Sequence, residues 1–163
     1  MQINEEARVK LLDAFDGLSD EELNRLPTDG GWSIAQIIEH LYLMEGGIAK
    51  TIQHQLATGP TQETPKKPID RTIDRSVKVD APEFAVPKAD FASSQELKAK
   101  LAASHGLLRQ LAETVPAEQL ESKAYPHPVF GDMSLKQWIP FVGYHELRHI
   151  EQLLETKEAV SHR

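Results

Sequence analysis

The sequence predicts an all-α protein, a four-helix bundle, and three observations carry that prediction. Four stretches repeat apolar residues at three- and four-residue steps, the period of an amphipathic helix. Serine followed three residues later by Glu or Gln, the capping-box spacing, recurs at Ser19…Glu22, Ser33…Gln36, Ser93…Glu96 and Ser134…Gln137. Alternation of the kind that marks strands is scarce.

The first helix is expected over residues 4–16, with Ala7, Leu11 and Phe15 on its apolar face and Leu12 beside them. A short helical piece follows from Asp20 to Arg25. Pro27 and Gly30-Gly31 then mark a loop. After Ser33 the second long helix carries Ile34, Ile37, Ile38, Leu41, Ile48 and Ile52, and it ends by Gly59-Pro60. Residues 59–92 are punctuated by Pro60, Pro65, Pro68, Pro82 and Pro87 and show no sustained period. A connection of that length inside a bundle is often functional, and it predicts a crossover or a pocket-covering segment. The third long helix runs from Ser94 to Val115 through Leu97, Leu101, Leu108 and Leu111, and Pro116 stops it. A short turn of helix around 117–120 precedes a second irregular connection at Pro126–Asp132. The fourth long helix is expected from Leu135 to about Lys157, with Pro140 bending its first turns.

Composition bounds the function. The 163 residues suit one domain, 1–163, and 40% hydrophobic residues suffice for a core. Mean hydropathy is −0.42, and no apolar run approaches the roughly 20 residues of a membrane span. The first residues lack the pattern of a signal peptide, and cysteine is absent, so a cytoplasmic protein without thiolate ligands is expected. The net charge of −7 repels phosphate backbones, which argues against nucleic acid as a partner.

The chemistry concentrates in His145-Glu146-Leu147-Arg148-His149. Histidines four apart on a helix lie about 40° apart around the axis and roughly 6 Å along it, so their imidazoles can reach one ion. His40 lies on the flank of an earlier apolar helix, near Ile37 and Met44. Burying imidazoles costs free energy unless partners satisfy them, and a metal satisfies all three together. Three neutral ligands leave an open position, the arrangement of a catalytic rather than a structural site. Hydrogen-bonded histidines without metal remain the plain alternative. His54, His105, His127 and His162 are expected at the solvent-exposed surface, with His127 as a candidate pocket residue. Glu146 is expected either near the metal or, favoured, as a solvated partner of a surface cation, and Arg148 as a solvated neighbour meeting Gln152. Trp32 and Trp138 are expected in the core or the pocket wall. The His-Glu-Leu-Arg-His run also matches the zincin pattern. Gln152 and Glu155 stand where the extended motif needs glycine and histidine, and no strand is expected to align a peptide, so a protease is disfavoured.

Gly31-Trp32-Ser33-Ile34-Ala35-Gln36-Ile37-Ile38-Glu39-His40-Leu41 resembles the second-helix signature of the DinB-like (DinB/YfiT) superfamily. Phe130–Trp138 followed by Tyr144–Gln152 is similar to its last-helix signature, and the resemblance spans nearly the whole chain in order and spacing. It implies an up-down-down-up bundle, metal ligands at His40, His145 and His149, and a homodimer. Members with known activity include transferases and isomerases that use low-molecular-weight thiols.

These observations lead to one expectation. A divalent metal ion, Zn or Ni before others, activates water or a low-molecular-weight thiol against a small electrophilic molecule. The competing expectation is a non-catalytic dimeric bundle with a structural ion. No catalytic residue beyond the ligands is legible, and no nucleotide fingerprint, phosphate loop or serine motif appears.

Overall fold

A computed structural model describes residues 1–161. Four long helices form the bundle: α1 (Gln2–Phe15), α3 (Ile34–Thr58), α4 (Ser94–Thr114) and α6 (Leu135–Ser161). Short helices α2 (Asp20–Asn24) and α5 (Ala117–Glu121) sit in the connections. Ser19 and Ser33 make full capping boxes with Glu22 and Gln36, because each pair satisfies two otherwise orphaned backbone donors. Ser93 caps α4 through the Glu96 amide. Ser134 accepts from the Gln137 amide, but the Gln137 side chain turns away to bond both the amide and the carbonyl of Lys67.

Side-chain pairings fix the course of the chain. Along α1 and α6, Asn4 bonds the Ile139 carbonyl, Arg8 pairs with Glu146, and Lys157 bonds the Ala14 carbonyl, so both numbers rise together and the two helices are parallel. Helices α3 and α6 run opposite ways, because His40 meets His145 while Ile48 and Ile52 share a cluster with Leu135 and Trp138. Helix α4 opposes α1, since Glu5 meets Arg109 and Arg8 meets the Leu101 carbonyl. The order is therefore up-down-down-up, as expected.

The core lies in two clusters. One holds Leu11, Phe15, Ile34, Ile38, Leu97 and Leu153, the other Ile48, Ile52, Leu108, Met133, Leu135 and Trp138. Helix α6 passes Pro140 unbroken. Near it, Gly143 allows the start of α1 to come close, for a Cβ there would stand 3.0 Å from the Asn4 amide nitrogen.

At the level of Arg8 the helices are joined by charge rather than by apolar contact. The buried Arg8 guanidinium bonds Glu45 of α3 at 2.8 Å, Glu146 of α6 at 3.0 Å and the Leu101 carbonyl of α4 at 2.9 Å. His105 of α4 places one ring nitrogen 3.0 Å from Glu45 and the other 3.1 Å from Glu5. Two carboxylate partners demand two N–H donors, and these bonds, Glu45 first, push the imidazole pKa up. Burial holds the Glu146 pKa above its ordinary value despite Arg8. The sequence favoured solvent for His105 and, over a place near the metal, for Glu146; both are buried here, because each finds an ionic partner on another helix.

The connection over 59–92 is largely irregular, with single 3₁₀ turns at Ile69–Ile73 and Glu83–Ala85. Its anchor is Arg148, which donates to the carbonyls of Thr72, Asp74 and Val77 at 2.6–3.0 Å. That is a correction to the expected solvated Arg148. Arg75 adds an exposed pair with Glu155. The second connection is not irregular throughout. It contains an antiparallel hairpin, β1 (Ala124–His127) and β2 (Gly131–Ser134), in which Pro126 faces Asp132. Two prolines and a four-residue span conceal it from any alternation test, while Gly131 at φ +74° supplies the turn conformation.

Two outcomes follow from these contacts. Arg8→Ala leaves the buried Glu146 without its cation and Glu45 with His105 alone, and should cost about 3–5 kcal/mol in urea unfolding; a loss below about 1 kcal/mol would show the network to be slack. Arg148→Ala removes three charge-assisted bonds to one segment. Amide exchange over 70–79 should then accelerate at least about tenfold while α1 and α4 keep their protection. Unchanged exchange in that segment would assign its anchorage elsewhere.

Candidate metal centre

Helices α3 and α6 cross where His40 faces His145 and His149. The ring centroids form a near-regular triangle, 5.0 Å from His40 to His145 and 4.6 Å on each of the other sides. One nitrogen of each ring lies within 4.8 Å of the corresponding atoms of the other two. Helical spacing sets the His145–His149 side, and the antiparallel register of α3 on α6 sets the others.

The orientation of each ring has an identifiable cause. His40 Nδ1 lies 2.8 Å from the Ala85 carbonyl, which can only accept, so Nδ1 carries the proton and Nε2 turns a lone pair toward the cluster. His149 Nδ1 lies 2.8 Å from Gln152 Oε1, with the same consequence. Such outer partners fix tautomer and ring direction at metal sites. His40 Nε2 and His145 Nε2 stand 3.2 Å apart. Two lone pairs cannot rest at that distance unless a proton or a cation lies between them. Zinc–nitrogen bonds of about 2.0–2.1 Å in a tetrahedron give a nitrogen–nitrogen edge of about 3.3 Å, so the separation fits a shared ion.

Burial keeps the imidazoles neutral, the form that ligates. Desolvation lowers the His40 pKa, and it lowers that of His149 to about 4 with help from His40. His145 is held well below the ordinary value by desolvation, then by His149 and His40.

The ring of Trp32 stands 5.2 Å from His40. A cavity of about 930 Å³ opens onto the three rings. Its walls come from α3 (Met44, Ile48), the 59–92 connection (Val77, Phe84), the hairpin (Tyr125, Phe130) and α6 (Trp138, Phe141). The volume is at the upper end of small-molecule sites, whose walls are typically apolar with few polar groups. Gly47 makes room for one wall, since a Cβ there would overlap the Phe84 ring. Phe84 adjoins Ala85, so that clearance also seats the carbonyl that orients His40.

All three expected ligands thus converge, and both tryptophans line the cavity. His127 is half-buried and lines it too, whereas His54 is exposed and His162 lies outside the described residues. Glu146 faces Arg8 rather than the triad. Sequence reasoning missed Ala85, because a backbone carbonyl carries no side-chain signature. It also paired Gln152 with Arg148, although the three-residue step from His149 marks Gln152 as that ring's partner.

Known proteins resemble this chain over nearly its whole length. YuaE of Bacillus subtilis (strain 168), an uncharacterized protein, is 34% identical over 160 residues, covering 98% of each chain. YfiT of the same organism, named as a proposed metal-dependent hydrolase, is 26% identical over 156 residues, covering 95% of this chain and 80% of its own. The crystal structure of TT2238, a four-helix bundle protein, superposes with a TM-score of 0.60 at 20% identity over 93% of this chain and 92% of that one, a likeness of fold. The DinB superfamily model matches residues 3–153, and the chain belongs to the DinB superfamily.

Proposed function

We propose that the protein is a metal-dependent enzyme acting on a small, largely apolar molecule. In this reading His40, His145 and His149 hold a divalent ion, Zn²⁺ or Ni²⁺, and the attacking group is water or a low-molecular-weight thiol. The observation that carries it is the meeting of a neutral three-imidazole cluster with an open apolar cavity. The name of YfiT supports the hydrolytic branch. A bound divalent ion supplies Lewis acidity and lowers the pKa of a group at its open position.

The protein's own residues do the remaining work. Ala85 and Gln152 hold the ligating nitrogens toward one point. Trp138 and Phe141 line the approach with apolar surface, and a lower local dielectric strengthens charge interactions there. The cavity favours catalysis over a purely structural ion, for structural sites close their fourth position.

Elemental analysis after mild purification tests the reading. The wild type should carry about one ion per chain, and His40→Ala, His145→Ala and His149→Ala should each fall below about a tenth of that while keeping their helical circular dichroism. Full metal content in His40→Ala would end the three-ligand reading. Incubating the loaded protein with model esters and epoxides, with and without added thiols, then separates hydrolysis from thiol transfer.

A further inference from the structure

Beyond the triad, the cavity contains a fourth imidazole whose protonation is settled by geometry. His127 ends β1, and its Nδ1 accepts from two backbone amides, Val129 at 3.0 Å and Phe130 at 3.2 Å. Both partners are donors only, so Nδ1 is unprotonated and the ring's one proton sits on Nε2. The ring is wedged among aromatic neighbours, with centroids 4.8 Å from Phe130, 5.3 Å from Trp138 and 4.7 Å from Phe141. Burial there pushes its pKa down to about 4, so it stays neutral near pH 7.

Several other ring and guanidinium donors around the cavity are committed. The Trp138 indole N–H donates to the Tyr125 carbonyl at 3.0 Å. Arg148 is spent on three carbonyls, and the Nδ1 protons of His40 and His149 point to Ala85 and Gln152. His127 Nε2 has no partner among the described residues. His127 is only half-buried and lines the cavity, so this N–H is open to an acceptor that enters there.

We propose that His127 is a substrate-binding residue: its Nε2–H holds an acceptor oxygen, a carbonyl or carboxylate, of a molecule whose apolar body fills the cavity beside the triad. The proposal rests on the small-molecule reading above and narrows it to carbonyl-bearing compounds. It also gives His127 a fixed task. A ring locked in one tautomer and neutral across the working range is a standing donor, not a proton shuttle.

A matched pair of probes tests it. Indane and 1-indanone share a ring system and differ by one carbonyl. Their binding to the full chain is read from quenching of Trp32 and Trp138 fluorescence. The wild type should prefer 1-indanone by about three- to tenfold, the worth of one neutral hydrogen bond. In His127→Asn the amide oxygen takes the place of Nδ1 and keeps the turn capped, but the donor at Nε2 is gone; the preference, read as the ratio of the two affinities so that any change in the wall acts on both probes alike, should vanish. A turn-capping role alone would leave the preference intact. A preference that survives in His127→Asn belongs to another donor, such as the buried Thr72 hydroxyl, and overturns the proposal. Equal binding of both probes to the wild type overturns it while leaving the metal reading untouched. Failure of both to bind sinks it together with the apolar-substrate reading. Nitrogen-15 NMR of the imidazole rings provides a check that needs no variant. His127 should show the Nε2–H tautomer at pH 7, and that proton should shift with 1-indanone and not with indane; any other tautomer contradicts the assignment.

Discussion

The arrangement depends on one buried cation. Arg8 touches a residue of each of the other three long helices, and it does so deep in the bundle, where a guanidinium without partners would be untenable. Glu45 and Glu146 answer it, and each stands close in sequence to a member of the triad: Glu146 follows His145, and Glu45 lies five residues after His40. The ion pairs therefore set the register in which α3 and α6 face each other. Apolar contacts tolerate sliding by a fraction of a turn; a buried charge with two carboxylate partners does not. The close approach of His40 to His145 is a consequence of that register.

Most of the fold was legible because helices announce themselves locally. Period, caps and breaks placed the four long helices within a few residues, and the neutral apolar surroundings of His40, His145 and His149 marked them as inward-facing. What the sequence concealed was tertiary in origin. Glu146, His105 and Arg148 look like surface residues by type, and their destinations depend on partners 60 or more positions away. The hairpin is too short and too rich in proline for a period to show. The carbonyl of Ala85 reaches His40 only because a crossover of more than thirty residues returns to the mouth of the site.

That crossover gives the connection a purpose that length alone could only suggest. Its 3₁₀ turn at Glu83–Ala85 brings Phe84 against Gly47 and the Ala85 carbonyl against His40. Its earlier turn is tied to α6 by Arg148, one residue before His149. One irregular segment thus walls the cavity and orients a ring of the cluster. A helix could not do both, since its carbonyls are already engaged along its own axis.

Charge is partitioned between two layers of the bundle. In the Arg8 layer, two cations, Arg8 and a doubly bonded His105, balance the two buried carboxylates Glu45 and Glu146. In the triad layer the candidate ligands are three imidazoles that burial keeps neutral, and the cavity walls nearest them include aromatic and aliphatic side chains. Among the described residues no carboxylate joins the cluster; Glu146, beside His145, faces Arg8 instead. Under the proposed reading, the full charge of a divalent ion would then go uncompensated by its protein ligands. Such a site favours an anion at its open position more strongly than one with a carboxylate ligand. The Arg8 network thus acts on the site twice: it sets the register in which the rings meet, and it engages Glu146, the carboxylate beside His145.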